Sequence, residues 1–232
     1  MVFDKPNLVI FDLDGTLYDY EANHKRGTQA LEKFLSDELG IDGSVVKAEM
    51  STARINVKDR LGQVASSHSR LLYIREFLLK NRIASDLSFS LRGEKIYWDA
   101  YLEKAALFPY VKEFIERLKN RGSFLVLITD LNTEIQLRKI MWFGLENAFD
   151  LIITSEEAGG DKITGKPETL LTGLDQPIPE IIWSIGDQNH DHLLKPYSTF
   201  FLKTTEQEKF VSSDKIIYFS NYSDLIQLLQ EN

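Results

Sequence analysis

Two aspartates, Asp12 and Asp14, stand one residue apart where the apolar run Leu8-Val9-Ile10-Phe11 stops. Asp14-Gly15 then turns the chain away. Carboxylates so placed at the tip of a buried strand repel each other and need a proton or a cation. A hard divalent ion, which prefers oxygen ligands, meets that need. A solvated turn after a core strand is the plain alternative. Three further apolar runs also end in polar groups. Phe124–Ile128 ends at Thr129-Asp130, and Leu151–Ile153 ends at Thr154-Ser155-Glu156-Glu157. Ile181–Ile185 ends at Gly186-Asp187-Gln188-Asn189-His190-Asp191. Between the last two lies Gly165-Lys166-Pro167, with proline where a helix opens. Taken singly, Thr129 reads as a strand-end hydroxyl, Lys166 as a turn lysine, and Asp187 and Asp191 as helix-start caps. His190 and His192 suggest a metal as well, but hard oxygen ligands already dominate the set.

The elements that must carry these groups follow from apolar patterning. Leu8–Leu13, Phe124–Thr129, Leu151–Thr154 and Ile181–Ile185 are continuous rather than alternating, as in parallel strands buried on both faces. Thr199–Leu202 and Ile216–Phe219 add two weaker strands. Pro109–Arg121 sets Val111, Phe114, Ile115 and Leu118 at helical spacing, and Gly122 stops it. Thr133-Glu134-Ile135-Gln136 has capping-box spacing for a helix to about Phe143. Strand and helix alternate as in a doubly wound α/β sheet, where ligands bind beyond the carboxyl ends of the strands. Residues 20–105 break the pattern. They hold no strand signal and three or four helical stripes, among them Leu31-Phe34-Leu35 and Tyr97-Trp98-Tyr101. The expected organisation is an α/β core of residues 1–19 and 106–232, with a helical insert at 20–105.

The chain has 232 residues, a net charge of −8 and no cysteine. Thiolate nucleophiles, disulfides and cysteine-ligated zinc are thereby excluded. The acidic balance argues against nucleic acid or an anionic membrane as partner. No apolar run approaches a membrane span, and the first apolar stretch is short and runs into Asp12. The expected compartment is the cytoplasm, and oligomeric state is not encoded in any pattern here.

Together these residues resemble the four motifs of the haloacid dehalogenase-like (HAD) hydrolase superfamily. Asp12-Leu13-Asp14-Gly15-Thr16 resembles the first, Thr129 the second, Lys166 before Pro167 the third, and Gly186-Asp187 with Asp191 the fourth. The helical insert resembles the family's α-helical cap over a Rossmann-like core. The resemblance implies a Mg²⁺-dependent phosphatase acting on a small phosphomonoester, a nucleotide or a sugar phosphate, through an aspartyl-phosphate. Asp12 is then the nucleophile and Asp14 the general acid and base. Mg²⁺ is held by Asp12, the Asp14 carbonyl and Asp187, with Asp191 acting through water or through Lys166. Thr129, the backbone N–H of Asp130 and Lys166 bind the phosphoryl oxygens. The family often carries asparagine where this chain has Asp130, so that carboxylate is expected to point away from phosphate. Asp14 argues against the dehalogenase branch, which lacks an acid there. A phosphomutase with the same residues, or a binding protein that keeps the fold without turnover, are the alternatives. As a cap, the insert implies a lid, and Tyr18, Tyr20, His24, Lys25 and Arg26 could line the cleft.

Overall fold

A computed structural model describes residues 5–84, 87–173, 179–204 and 216–230. The chain divides into two compact units, Met1–Asp19 with Ala106–Asn232, and Tyr20–Ala105. In the first, six strands form one sheet: β1 Leu8–Phe11, β2 Phe124–Thr129, β3 Leu151–Thr154, β4 Ile182–Gly186, β5 Ser198–Lys203 and β6 Ile216–Phe219. Their order is β3-β2-β1-β4-β5-β6, and every neighbouring pair is parallel. Helices α1 Tyr20–Leu39, α2 Gly43–Leu61, α3 Arg70–Lys80 and α4 Leu87–Leu102 belong to the second unit. Helices α5 Val111–Asn120, α6 Thr133–Trp142, α7 Ser155–Ala158, α8 Lys166–Thr172 and α9 Tyr222–Gln230 belong to the first.

The central strands β1, β2 and β4 are mainly apolar and almost wholly buried because both faces of the sheet are covered there. Leu8 and Ile10 join Val126, Ile128, Ile153 and Ile182 in one buried cluster. On the other face Phe11 packs edge-on to Phe114 and Phe149, with ring centroids 6.1 and 5.7 Å apart. Phe114 is on α5, whose Val111, Phe114, Ile115 and Leu118 are all buried. From β1 the chain winds outward through β2 to β3, then returns to β4 on the opposite side and winds outward to β6. The direction therefore reverses between β1 and β4, and in open α/β sheets ligands bind beyond the carboxyl ends at such a reversal. β1 is shorter than the apolar run suggests: Leu13 leaves the ladder but stays fully buried.

The second unit is all-helical among its described residues. Its helices α1 and α4 pass closely because Gly27 lacks a side chain. A Cβ there would lie 2.9 Å from both the Tyr97 ring and the Tyr97 carbonyl oxygen. Asp42 and Ser69 cap α2 and α3 by accepting from the N–H groups of Ser44 and Leu72.

Candidate active site

The site forms where β1 and β4 end side by side. The Asp12 N–H still donates to the Ile185 carbonyl at 2.9 Å, so the first aspartate is fixed by the last bond of the sheet. Its carboxylate is buried, 5% exposed. Thr16 donates to Asp12 Oδ2 at 2.8 Å and reaches Asp187 Oδ1 at 3.3 Å, tying the two strand tips together. The Thr16 carbonyl in turn accepts from the buried Tyr222 hydroxyl of α9. Gly15 is required here twice over. Its φ is +89°, and a Cβ would fall 2.5 Å from Asp187 Oδ2. Gly186 plays the same part on β4, since a Cβ there would overlap Asp191.

Asp191 is anchored through both oxygens. Oδ2 accepts from the N–H groups of Asp187 and Gln188, capping the short turn Asn189–Asp191. Oδ1 meets Lys162 Nζ. The same ammonium contacts Asp12 Oδ1 at 2.5 Å, so Lys162 bridges the nucleophile candidate and the fourth-motif aspartate. Oxygen atoms of Asp12, Asp187 and Asp191 lie within 4.8 Å of one another. Burial pushes the Asp12 carboxyl well above the usual carboxylate range, and Asp191 and Asp187 add to this while Lys162 opposes it. Asp187 is pushed up by burial too. Burial works against the Lys162 charge, yet Asp12, Asp191 and Asp130 outweigh it and hold the ammonium protonated. Three carboxylates around one lysine leave a surplus of negative charge, which a divalent cation with oxygen ligands fits.

Asp14 faces another way. Lys139 on α6 holds both of its oxygens, at 2.9 and 2.7 Å, and Tyr18 donates to Oδ1. Lys139 is 1% exposed. Gln136, one turn earlier on α6, donates to Thr129 Oγ1 at 2.7 Å and to the Asp130 carbonyl, and approaches Asp14 Oδ2 at 3.3 Å. Thr129 is fully buried at the end of β2. The Asp130 carboxylate turns to the Lys162 N–H at 2.8 Å, and burial raises its pKa. Leu131, next in the chain, takes φ +117° and is held there by Ser155, whose hydroxyl accepts from its N–H. Strained backbone of this kind gathers at functional sites.

One sequence expectation needs correction. Lys166 does not enter the cluster; its ammonium donates to the Gly159 carbonyl at 2.7 Å, and Lys162 stands beside Asp12 instead. The reason is local. Lys166 opens α8, and its side chain folds back over the loop before it, whereas Lys162 sits on the inward side of the turn Lys162–Thr164. The Asp14 side chain likewise lies outside the three-carboxylate group. Neither histidine joins it: His192 stacks on Phe200 with ring centroids 4.9 Å apart. Tyr18 meets Asp14, while Tyr20 and His24 pack with Tyr97 inside the helical unit. Lys139 and Gln136 were missed, although both are polar residues on the inner stripe of α6 beside Ile135 and Ile140.

The sequence model of the haloacid dehalogenase-like hydrolases matches residues 6–191. The chain is similar to the ribulose-1,5-bisphosphate 5-phosphatase of Halopiger xanaduensis, 38% identical over 183 residues that span 77% of this chain and 75% of the relative. Among solved structures it is similar to YfnB, a HAD-hydrolase of Bacillus subtilis bound to magnesium, with 17% identity, TM-score 0.64 and coverage of 97% and 99%. It is also similar to the 2-haloacid dehalogenase of Pseudomonas syringae, with 17% identity, TM-score 0.68 and coverage of 100% and 99%. At that identity both structures speak for the fold alone.

Proposed function

Because the chain belongs to the haloacid dehalogenase-like hydrolases, we propose that it is a Mg²⁺-dependent phosphatase of small phosphomonoesters, with a sugar phosphate favoured. The enzyme class, phosphoric monoester hydrolase, follows from the family and from the phosphatase relative. The sugar phosphate is favoured because that relative is named for a sugar bisphosphate. One observation carries the reading: buried Asp12 and Asp191 and half-buried Asp187 gather at the reversal of the sheet, with Lys162 bridging Asp12 and Asp191.

The residues divide the work as follows. Asp12 attacks phosphorus, the bond to the ester oxygen breaks, and an aspartyl-phosphate forms. Asp14 gives a proton to the departing alcohol and later takes one from the water that releases phosphate. Thr16 and Lys162 fix the Asp12 carboxylate at its two oxygens. Lys162 also opposes the negative charge of the transferring group, the role expected at first of Lys166. Thr129 and the Asp130 N–H complete the phosphoryl cradle. Lys139, Gln136 and Tyr18 orient Asp14. Asp12, Asp187 and the Asp14 carbonyl would hold Mg²⁺, with Asp191 steadying Asp187 through its backbone. When bound, the ion supplies charge that offsets repulsion between Asp12 and phosphate, and aligns the two. Residues 20–105 are read as the cap that sets the leaving group, on the family resemblance.

The test is direct. Purified protein with Mg²⁺ should hydrolyse an aryl phosphate, EDTA should stop it, and Asp12→Asn should abolish turnover with the fold intact. Undiminished hydrolysis by Asp12→Asn overturns the assignment of the nucleophile.

A further inference from the structure

We infer that Gln136 is a positioning residue for phosphate recognition: its side-chain amide fixes the Thr129 hydroxyl as a hydrogen-bond donor toward the phosphoryl group. The inference rests on the phosphatase reading and sets the direction of one bond within it.

All the groups involved belong to the α/β unit. Gln136 of α6 and Thr129 at the end of β2 are both fully buried. Three oxygens surround one atom of the Gln136 amide: Thr129 Oγ1 at 2.7 Å, the Asp130 carbonyl, and Asp14 Oδ2 at 3.3 Å. The Asp130 carbonyl has no proton to give and would repel an amide oxygen, so that atom is the nitrogen. Its two N–H groups go to the two nearer oxygens, Thr129 Oγ1 and the Asp130 carbonyl. Asp14 is the farthest of the three, and Lys139 and Tyr18 already hold it. Thr129 therefore accepts from Gln136, and its hydroxyl has no other hydrogen-bond partner among the described residues. A hydroxyl offers one proton and two lone pairs. With Gln136 on a lone pair, the proton is left to give, and an anionic phosphoryl oxygen is a strong acceptor for it.

A plain structural tie between α6 and β2 does not account for the other half of the amide. Gln136 Oε1 is buried with no hydrogen-bond partner among the described residues. An unmet buried oxygen lowers stability. A leucine beside the buried Ile135 and Ile140 of the same helix would avoid that loss. What a leucine cannot supply is the pair of N–H groups aimed at Thr129 and Asp130. The glutamine is thus explained by what its nitrogen does at Thr129, and the unmet oxygen is the accompanying cost.

The experiment measures inhibition of aryl phosphate hydrolysis by inorganic phosphate, with Mg²⁺ present, in the wild-type chain, Thr129→Val, Gln136→Leu and the double variant. The Ki for phosphate is expected to rise about fivefold or more in each single variant. In the double variant it should stay within about twofold of Thr129→Val, because Gln136 reaches phosphate only through that hydroxyl. Losses that multiply in the double variant overturn the inference, and so does an unchanged Ki in Gln136→Leu. A fall in kcat with Ki unchanged moves the action of Gln136 to Asp14 and overturns it as well. Gln136→Glu covers misfolding of Gln136→Leu. It keeps nearly the same volume but puts an oxygen where the amide nitrogen stood, so Thr129 donates to that oxygen instead of to phosphate. Its Ki should rise at least as far as in Thr129→Val, and a wild-type Ki overturns the inference. Absence of aryl phosphate hydrolysis by the wild-type chain strikes the phosphatase reading instead. The dissociation constant from calorimetric titration with inorganic phosphate then takes the place of Ki in the same comparison.

Discussion

Lys162 and Lys166 are four positions apart, and only the folded chain tells them apart. Lys162 bridges the two buried members of a three-acid cluster, while Lys166 bonds a carbonyl of its own loop. Lys162→Met is therefore expected to lower kcat on an aryl phosphate at least a hundredfold, the scale of losing one charge stabiliser. It should also cost about 3–5 kcal/mol of stability in metal-free protein, since Asp12 and Asp191 lose their buried partner. Lys166→Met should change kcat less than about twofold; equal losses in the two variants would return the role to Lys166. Asp130 gives a pH prediction with a definite sign. Burial raises its carboxyl in the folded chain, so the native state binds more protons than the unfolded one from about pH 3.9 upward. Stability then falls as pH rises through that window, and the penalty is complete above the folded pKa. Asp130→Asn keeps an oxygen for the Lys162 N–H and removes the charge. Without metal or phosphate it should raise Tm at pH 7, and the gain should vanish as the pH approaches 4. A gain of equal size at both pH values would rule out titration as its cause.

At the scale of elements, what was legible depended on how local the signal was. Strands β1 to β4 were readable because burial on both faces writes a continuous apolar run, and the aspartates at their tips break that run abruptly. The ends of β1 and β4 shifted by a residue or two because the ladder, not the apolar pattern, decides where a strand stops. Lysine choice in the third motif was not readable, because turn geometry over Asp161–Gly165 is set by contacts from other strands. Helix α6 lies between these cases. Its span was legible although the expected capping box does not form, since Asn132 precedes the helix without a side-chain cap bond and Thr133 is its first residue; the inward-facing Gln136 and Lys139, which hold Thr129 and Asp14, carry no local signal of that role. Lys139→Met should leave Asp14 without its orienting partner and lower kcat by about tenfold or more, with KM for aryl phosphate little changed. Lys139→Arg should recover part of that loss, and a Lys139→Met enzyme of full activity would remove α6 from the mechanism. Gly15→Ala tests the approach of the first motif to Asp187. The positive φ and the 2.5 Å contact cannot both be relieved without moving the carboxylate. The Mg²⁺ concentration for half-maximal activity should rise at least tenfold, and an unaltered Mg²⁺ requirement would detach Gly15 from the metal site.

At the scale of the whole molecule, the fold leaves chemistry open: the same architecture serves a 2-haloacid dehalogenase and a magnesium-bound hydrolase. In the proposed reading Asp14, beside the acidic cluster, selects among these chemistries, and the charge of the cluster would link catalysis to stability. The chain as a whole carries −8, and within that total Asp12 and Asp187 are buried or half-buried carboxylates whose ionisation burial opposes. Folding without a cation must tolerate that concentration of charge; folding with Mg²⁺ does not. A ligand bound only by the native state stabilises it by about 2.7 kcal/mol at a hundred times its Kd. In a chain of this size each kcal/mol moves Tm by roughly 2–4 °C. Saturating Mg²⁺ should accordingly raise Tm by at least about 5 °C, measured by thermal unfolding at fixed ionic strength, and EDTA should reverse the shift. Asp187→Asn should remove most of that increment while raising the Tm of the metal-free chain, because it discharges one member of the cluster. If Mg²⁺ raised the Tm of wild type and Asp187→Asn alike, the ion would be binding elsewhere, and the convergence of Asp12, Asp187 and Asp191 would lose its meaning as a metal centre.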